Sequence, residues 1–124
     1  MERLRIYVAG PYTPYYESPY DTLRVVQRNI DRAMEIANAI HGKGHYAFVP
    51  HLTHYIHIHY SCLADKGYDW YCDYGNTFLD EWATGLYFIK PSPGTDKEVK
   101  RAIKRRIPIF YSLDEIPLIN INIH

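Results

Sequence analysis

Short apolar runs and longer amphipathic stretches alternate along the chain. The short runs, each of strand length, cover residues 5–9, 45–49, 83–89 and 107–111. The longer stretches, in which apolar residues recur at every third or fourth position, cover residues 23–40, 68–82 and 96–105. Strands that alternate with helices build βαβ units, so the pattern predicts a single α/β domain over residues 1–124.

The predicted sheet is parallel and doubly wound, of the Rossmann or flavodoxin type, with four or five strands and helices on both faces. Asp21 or Thr22 is the predicted cap of the first helix, and Gly42 and Gly44 are predicted to end it. Residues 118–123 alternate weakly and form either an edge strand or a tail. Ligands of such sheets bind outside the carboxyl ends of the strands, so we expect one composite pocket there. The loops at those ends cover residues 10–20, 50–60 and 90–96.

Composition narrows the class of protein. The 124 residues include 14 basic and 14 acidic side chains, two cysteines and 13 tyrosines. Balanced charge argues against a nucleic-acid coat or a polybasic membrane patch, and no apolar run approaches the ~18 residues of a membrane span. No signal-peptide pattern precedes the first strand, and the cysteines lack a CxxC spacing. We therefore expect a cytoplasmic protein without a disulfide scaffold.

Glu98 is the first candidate for chemistry, at the start of the third predicted helix, which we expect to begin at Asp96. The helix dipole favours the ionised form of a carboxylate in the first turn. An ionised, positioned carboxylate can attack an electron-poor carbon such as the anomeric carbon of a sugar. The same residues also form a capping box, with Thr95 at the N-cap and Glu98 at the third helical position, and that pattern requires no function.

Other polar residues have both a functional and a structural interpretation. Ser92 and Gly94, with the amides that follow them, can hold a phosphate or form an ordinary Pro-Gly turn. Tyr7 in the first strand can hydrogen-bond a carboxylate in the pocket or belong only to the core. Tyrosines in the loops can stack on a base or line a dimer interface.

A group of closely spaced histidines suggests a metal site, because imidazole is a common zinc ligand. The group consists of His51, His54, His57 and His59. It lacks an HExxH pattern and paired cysteines, so we favour a pocket wall, an interface or hydrogen bonds to substrate, and expect no metal and no cofactor. The basic residues between positions 97 and 106 are typical of a solvated helix face.

Three short motifs follow one another on this βαβ frame. They are IYVAGPYT at residues 6–13, VPHLTH at residues 49–54 and SPGTDKE at residues 92–98, the last followed by Ala102 and by a strand start at Pro108. Their order and spacing resemble the nucleoside 2-deoxyribosyltransferase superfamily, in its first strand and loop, its second-strand exit and its nucleophile segment. The pattern is also similar to the 2'-deoxynucleoside 5'-phosphate N-hydrolases of the same superfamily.

The resemblance implies cleavage or transfer of the N-glycosidic bond of deoxynucleosides or their 5'-monophosphates. Glu98 would be the nucleophile that attacks C1', and Tyr7 would hydrogen-bond and orient it. The implied substrate-binding residues are Gly10, Pro11, Tyr12, Thr13, His51, Thr84, Ser92 and Gly94. Water or a second base would resolve the glycosyl-enzyme intermediate. Sites shared between subunits imply a homodimer or larger homo-oligomer, with a nucleoside or nucleotide as the small-molecule partner and neither nucleic acid nor membrane.

One departure from the family pattern favours an alternative. The family usually has an aspartate at the start of the third strand, where it holds the sugar hydroxyl, and Thr84 occupies that place here. A non-catalytic nucleotide-binding module on the same fold is therefore the first alternative. A metal-dependent hydrolase that uses the histidines of residues 51–59 is the second.

Overall fold

Four parallel strands form the sheet at the centre of the fold, in the order β2-β1-β3-β4. The computed structural model describes residues 2–12, 19–53, 55 and 68–119. The strands are β1 (Arg5–Ala9), β2 (Tyr46–Phe48), β3 (Gly85–Phe88) and β4 (Ile109–Phe110). Every strand pairing in these ranges is parallel, which confirms the predicted α/β fold with a parallel sheet.

Three helices accompany the strands in the described part of the chain. They are α1 (Pro19–Gly42), α2 (Tyr68–Thr77) and α3 (Pro93–Arg105). α2 continues into a π-helical turn (Phe78–Trp82), and single 3-10 turns occur at Pro50–Leu52 and Leu113–Glu115. None of these helices combines the length and the apolar character that a bilayer crossing requires.

Alternate residues of β1 enter two different hydrophobic clusters, because successive side chains of a strand point to opposite faces. Ile6 and Val8 belong to the cluster that α1 completes with Ala33, Ile36, Ala37 and Ile40. Tyr7 and Ala9 belong to the cluster that also contains Leu79, Leu86 and Ala102. Tyr7 therefore points to the side of the sheet on which the π turn and α3 pack.

The start of α3 differs from the prediction. The helix begins at Pro93 rather than at Asp96, and Ser92 is its N-cap residue. Serine is a favoured N-cap because its hydroxyl accepts from a free amide, and proline fits the first helical position because its fixed φ is already helical. The residues interpreted as a Pro-Gly turn are thus the first turn of the helix.

Two other predicted boundaries also change. α1 begins at Pro19, so Asp21 and Thr22 lie inside the helix and neither is its cap. The chain after β2 forms a 3-10 turn at Pro50–Leu52 instead of an irregular loop. Leu118 and Ile119 are not in a strand, and residues 120–123 of the predicted edge strand lie outside the described residues.

An arginine of α3 holds the π turn in place. Arg105 donates hydrogen bonds to the carbonyl oxygens of Leu79 and Ala83, the latter at 2.7 Å. A π-helical turn leaves carbonyls displaced from ordinary α-helical partners, and the guanidinium satisfies two of them. Arg101, one turn earlier, bridges to Asp80 at 2.6 Å. These two members of the predicted solvated face therefore fix α2 and its π turn against α3.

Candidate functional site

The hydroxyl of Tyr7 and the carboxyl of Glu98 lie close enough for each group to shift the pKa of the other. Tyr7 lies in the middle of β1, paired with Phe48 of β2 and Leu86 of β3, and is 2% exposed. Glu98 lies in the second turn of α3 and is partly buried. The two residues are far apart in sequence, and the packing of α3 on β1 and β3 brings them together.

Burial determines the protonation of this pair. It raises the pKa of Glu98 from its usual 4.5 to about 7, and the hydrogen bond from Tyr7 partly opposes the shift because it stabilises the carboxylate. Burial, and then the negative charge of Glu98, raise the pKa of Tyr7 well above its usual value, so Tyr7 stays neutral and donates. The expectation that the helix dipole keeps Glu98 ionised is wrong, since the dipole acts mainly on the first turn.

The capping-box explanation of Glu98 is also wrong. The N-cap is Ser92, whose hydroxyl accepts from the amide of Thr95 at 3.1 Å and lies 2.7 Å from the Thr95 hydroxyl. Thr95 is therefore the third residue of the helix, and Glu98 lies three residues further along. The carboxyl of Glu98 interacts instead with the Tyr7 hydroxyl of β1, which lowers its pKa in opposition to burial.

Ser92 and Gly94 lie at the start of α3, directly after β3. Gly94 is the second helical residue, so its amide has no acceptor inside the helix. The Ser92 hydroxyl already caps the helix through Thr95. A role for either residue in holding a phosphate stays a prediction.

The segment after β1 is held from two sides. The Nε2 atom of His51 lies 3.1 Å from the carbonyl oxygens of both Gly10 and Pro11, so it carries the proton and donates. On the other side, the Asn29 amide donates to the carbonyl of Tyr12 at 3.2 Å. These contacts fix the chain just beyond the carboxyl end of β1, and Thr13 lies outside the described residues.

His51 itself is buried and neutral. It is 3% exposed, and burial lowers its pKa despite the two carbonyl contacts. Its Nδ1 atom has no hydrogen-bond partner among the residues that the structure describes. The structure shows His51 against the carbonyls of Gly10 and Pro11, and its contact with substrate stays a prediction.

α2 contributes two residues next to Tyr7 that the sequence analysis did not assign to the site. A Cβ atom built on Gly75 would lie 3.1 Å from the Tyr7 hydroxyl oxygen. Cys72, one turn earlier on α2, lies near enough to Tyr7 to contribute to the rise of its pKa. The sequence feature that could have indicated this contact is a glycine inside a predicted helix. Glycine lowers helix stability, so its presence there often reflects close packing.

Thr84 does not lie with these residues. It precedes β3, at the amino end of the strand, where its hydroxyl accepts from the Arg5 amide at 2.8 Å. Its own amide donates to the Arg5 carbonyl at 2.7 Å. The carboxyl ends of the strands are at the opposite edge of the sheet, so Thr84 is removed from the set of candidate sugar contacts.

Only His51 of the histidine group lies within the described residues. His51 contacts the segment after β1, while His54, His57 and His59 lie outside the described residues. Within those that the structure describes, no group of three or more His, Cys, Asp or Glu side chains is arranged to hold a metal ion.

A groove of about 380 Å³ is lined mainly by α1, β2 and the chain just after β2. α1 contributes Met34, Asn38 and His41 to its wall, and Leu52 and Tyr74 close it from the other side. Phe48 also lines it, and the Phe48 ring centroid is 5.8 Å from that of Tyr7. Neither Tyr7 nor Glu98 lines this groove.

Sequence comparisons do not assign the chain to a family. No protein-family model matches it, and no curated protein matches it. The resemblance to the deoxyribosyltransferase superfamily stays a prediction based on three short motifs and their order.

The raised pKa of Glu98 predicts a change of stability with pH. The carboxyl titrates near 4.5 when unfolded and at about 7 when folded, so folding favours the protonated form. That stabilisation is complete below about pH 4.5 and is lost as the pH rises through about 7. Glutamine at position 98 cannot ionise, so Glu98→Gln should not lose this stabilisation. We expect the free energy of unfolding of Glu98→Gln, minus that of the wild type, to rise by up to about 3 kcal/mol between pH 4 and pH 8, measured by urea unfolding.

Glu35→Gln is the matched control, because Glu35 is an exposed carboxylate on α1. For each variant, the change with pH in the free energy of unfolding relative to the wild type is compared. If this change is no larger for Glu98→Gln than for Glu35→Gln, the carboxyl of Glu98 is not buried.

Proposed function

We propose that this protein cleaves or transfers the N-glycosidic bond of a deoxynucleoside or its 5'-monophosphate, with Glu98 as the nucleophile. The observation that carries the proposal is the carboxyl of Glu98 beside the buried hydroxyl of Tyr7, with the pKa of both groups raised by burial. Pairs of titratable groups with strongly shifted pKa values concentrate at functional sites. The order of the three sequence motifs supplies the substrate class.

The reaction has two steps. An ionised oxygen of Glu98 forms a bond to C1' while the bond from C1' to the base nitrogen breaks, and the base leaves with that electron pair and takes up a proton. Water then attacks C1' and releases the sugar and the carboxylate, which is hydrolysis. A second base that attacks instead completes a transfer.

Tyr7 orients the nucleophile in this mechanism. Its neutral hydroxyl donates to one carboxylate oxygen and leaves the other for the sugar carbon. A carboxylate in an apolar setting lacks the water shell that would weaken its attack, so burial and reactivity go together. The hydrogen bond keeps the ionised fraction of Glu98 substantial near neutral pH despite that burial.

The neighbouring segments supply the remaining roles in the proposal. Gly10, Pro11 and Tyr12 follow β1 and face the base or sugar, while Ser92 and Gly94 at the start of α3 contact the 5' end. A strand order with β1 and β3 at the centre supports a doubly wound arrangement of the sheet. We further infer a cytoplasmic homo-oligomer that binds neither nucleic acid nor membrane and needs no metal, from the family resemblance and the balanced charge.

Release of free base tests the proposal. We expect the protein to release base from deoxynucleosides or their 5'-monophosphates, and Glu98→Gln to lower the rate by about a thousandfold or more because the amide cannot form the glycosyl ester. Chromatography of the products measures it, with and without a second free base to separate hydrolysis from transfer. Glu35→Gln is the control. Full activity of Glu98→Gln contradicts the proposal, and nucleotide binding without turnover identifies the non-catalytic module instead.

The pH dependence of base release is a second prediction. The reactive form of Glu98 is ionised, so the rate rises with pH and is half-maximal near pH 7. Tyr7→Phe removes the hydrogen bond that stabilises the carboxylate, so we expect a lower rate and a half-maximal point above pH 7. Rate measurements across the pH range check both effects.

Tyr111→Phe, at an exposed tyrosine after β4, serves as the control for loss of a phenol hydroxyl. If the midpoint for Tyr7→Phe stays at the wild-type pH or moves below it, Tyr7 does not stabilise the reactive carboxylate.

A further inference from the structure

We propose that Gly75 is a positioning residue for the Tyr7–Glu98 pair. Because it has no side chain, α2 can lie directly over the Tyr7 hydroxyl and hold it toward Glu98. The inference rests on the proposed function for its catalytic consequence. The close contact between Gly75 and the Tyr7 hydroxyl does not depend on that function.

The contact is too tight for a methyl group unless a neighbouring atom moves by a few tenths of an ångström. A Cβ on Gly75 would lie 3.1 Å from the Tyr7 hydroxyl oxygen, closer than carbon and oxygen normally approach, and 3.5 Å from Cβ of Pro50. The Tyr7 hydroxyl oxygen is the nearest neighbouring atom, so it is the group that must move.

Neither side of this contact can move easily. Tyr7 lies in a central strand with a parallel partner on each side, and its ring packs against Phe48. α2 is held over β2 by the ring of Phe78, which stacks on Phe48 with centroids 4.0 Å apart. Pro50 stands on the other side of Gly75. A methyl group would therefore displace the hydroxyl or lift α2 away from the sheet.

The backbone supplies no other reason for glycine at this position. Gly75 is inside α2 and lacks the positive φ that favours glycine, which is found instead at Gly44. Glycine in a helix interior is less favourable than alanine, because it loses more conformational freedom on folding. The close approach to Tyr7 is the feature that explains it.

Gly42 offers a matched control. It is also in a helix, at the end of α1, and a Cβ built there would meet nothing within 4 Å. Alanine at Gly42 changes helix propensity without steric conflict. Comparison of the two glycine-to-alanine variants therefore separates the effect of helix propensity from the effect of the contact with Tyr7.

The experiment introduces Gly75→Ala and Gly42→Ala separately into the wild type and into Tyr7→Phe. Two quantities are measured: the thermal midpoint, and the titration of Glu98 followed by carbon-13 NMR of labelled glutamate carboxyls. In the wild type we expect Gly75→Ala to lower the thermal midpoint by about 5 °C. We also expect it to move the Glu98 titration to higher pH, because the Tyr7 hydrogen bond is weakened.

In the Tyr7→Phe background the obstacle is absent. There we expect Gly75→Ala to raise the thermal midpoint by about 2 °C, as alanine does in an unhindered helix, and to leave the Glu98 titration where Tyr7→Phe puts it. Gly42→Ala should leave the Glu98 titration unchanged in both backgrounds.

Two results would overturn the inference. One is a Gly75→Ala protein with a raised thermal midpoint and an unchanged Glu98 titration in the wild type. The other is a Gly75→Ala protein that fails to fold in both backgrounds, since removal of the Tyr7 hydroxyl should restore folding. Both readouts apply whether or not base is released, so failure of the proposed function and failure of this inference can be told apart.

Discussion

The interaction between the Tyr7 hydroxyl and the Glu98 carboxyl links the central strand to α3. A carboxyl that is removed from water is unfavourable in its charged form unless a donor faces it, and Tyr7 is that donor. Burial and hydrogen bonding act on Glu98 in opposite directions, and burial is the stronger, so the pKa is about 7. A carboxyl in this state is close to equally protonated and ionised at neutral pH, which suits a group that must alternate between carboxylate and ester.

The surrounding structure is arranged to keep this interaction in place. β1 supplies Tyr7 from a position with neighbours on both sides, and Ser92 sets where α3 begins, which determines where Glu98 faces. Arg105 ties the π turn to α3, and that turn fixes the end of α2 that carries Gly75. On the loop side, His51 and Asn29 hold the chain beyond β1. The site thus depends on contacts from every layer of the fold.

Much of the frame could be predicted from hydrophobic spacing, because strands of period two and helices of period 3.6 leave different patterns. β1 was predicted with its observed bounds, and α2 with its π turn was predicted as one helical stretch. The start of α3 was missed because Ser92, Pro93 and Gly94 were interpreted as a turn, although serine before proline is also a helix start.

The remaining features depend on tertiary packing, which sequence spacing does not contain. Burial raised the pKa of Glu98, whereas a local argument from the helix dipole predicted the opposite direction. Thr84 was assigned to the site by the family resemblance, but it lies at the amino end of β3. The contact of Gly75 with Tyr7 joins two distant segments, so no local pattern could predict it.

Capture of the covalent intermediate tests the central claim most directly. A deoxynucleoside with fluorine at C2' slows both steps, because fluorine destabilises the developing positive charge at C1', and a good leaving base lets the first step proceed. Peptide mass spectrometry then locates the sugar. We predict a glycosyl adduct on Glu98 that is absent from Glu98→Gln. An adduct on a different residue, or base release that continues in Glu98→Gln, would contradict the account.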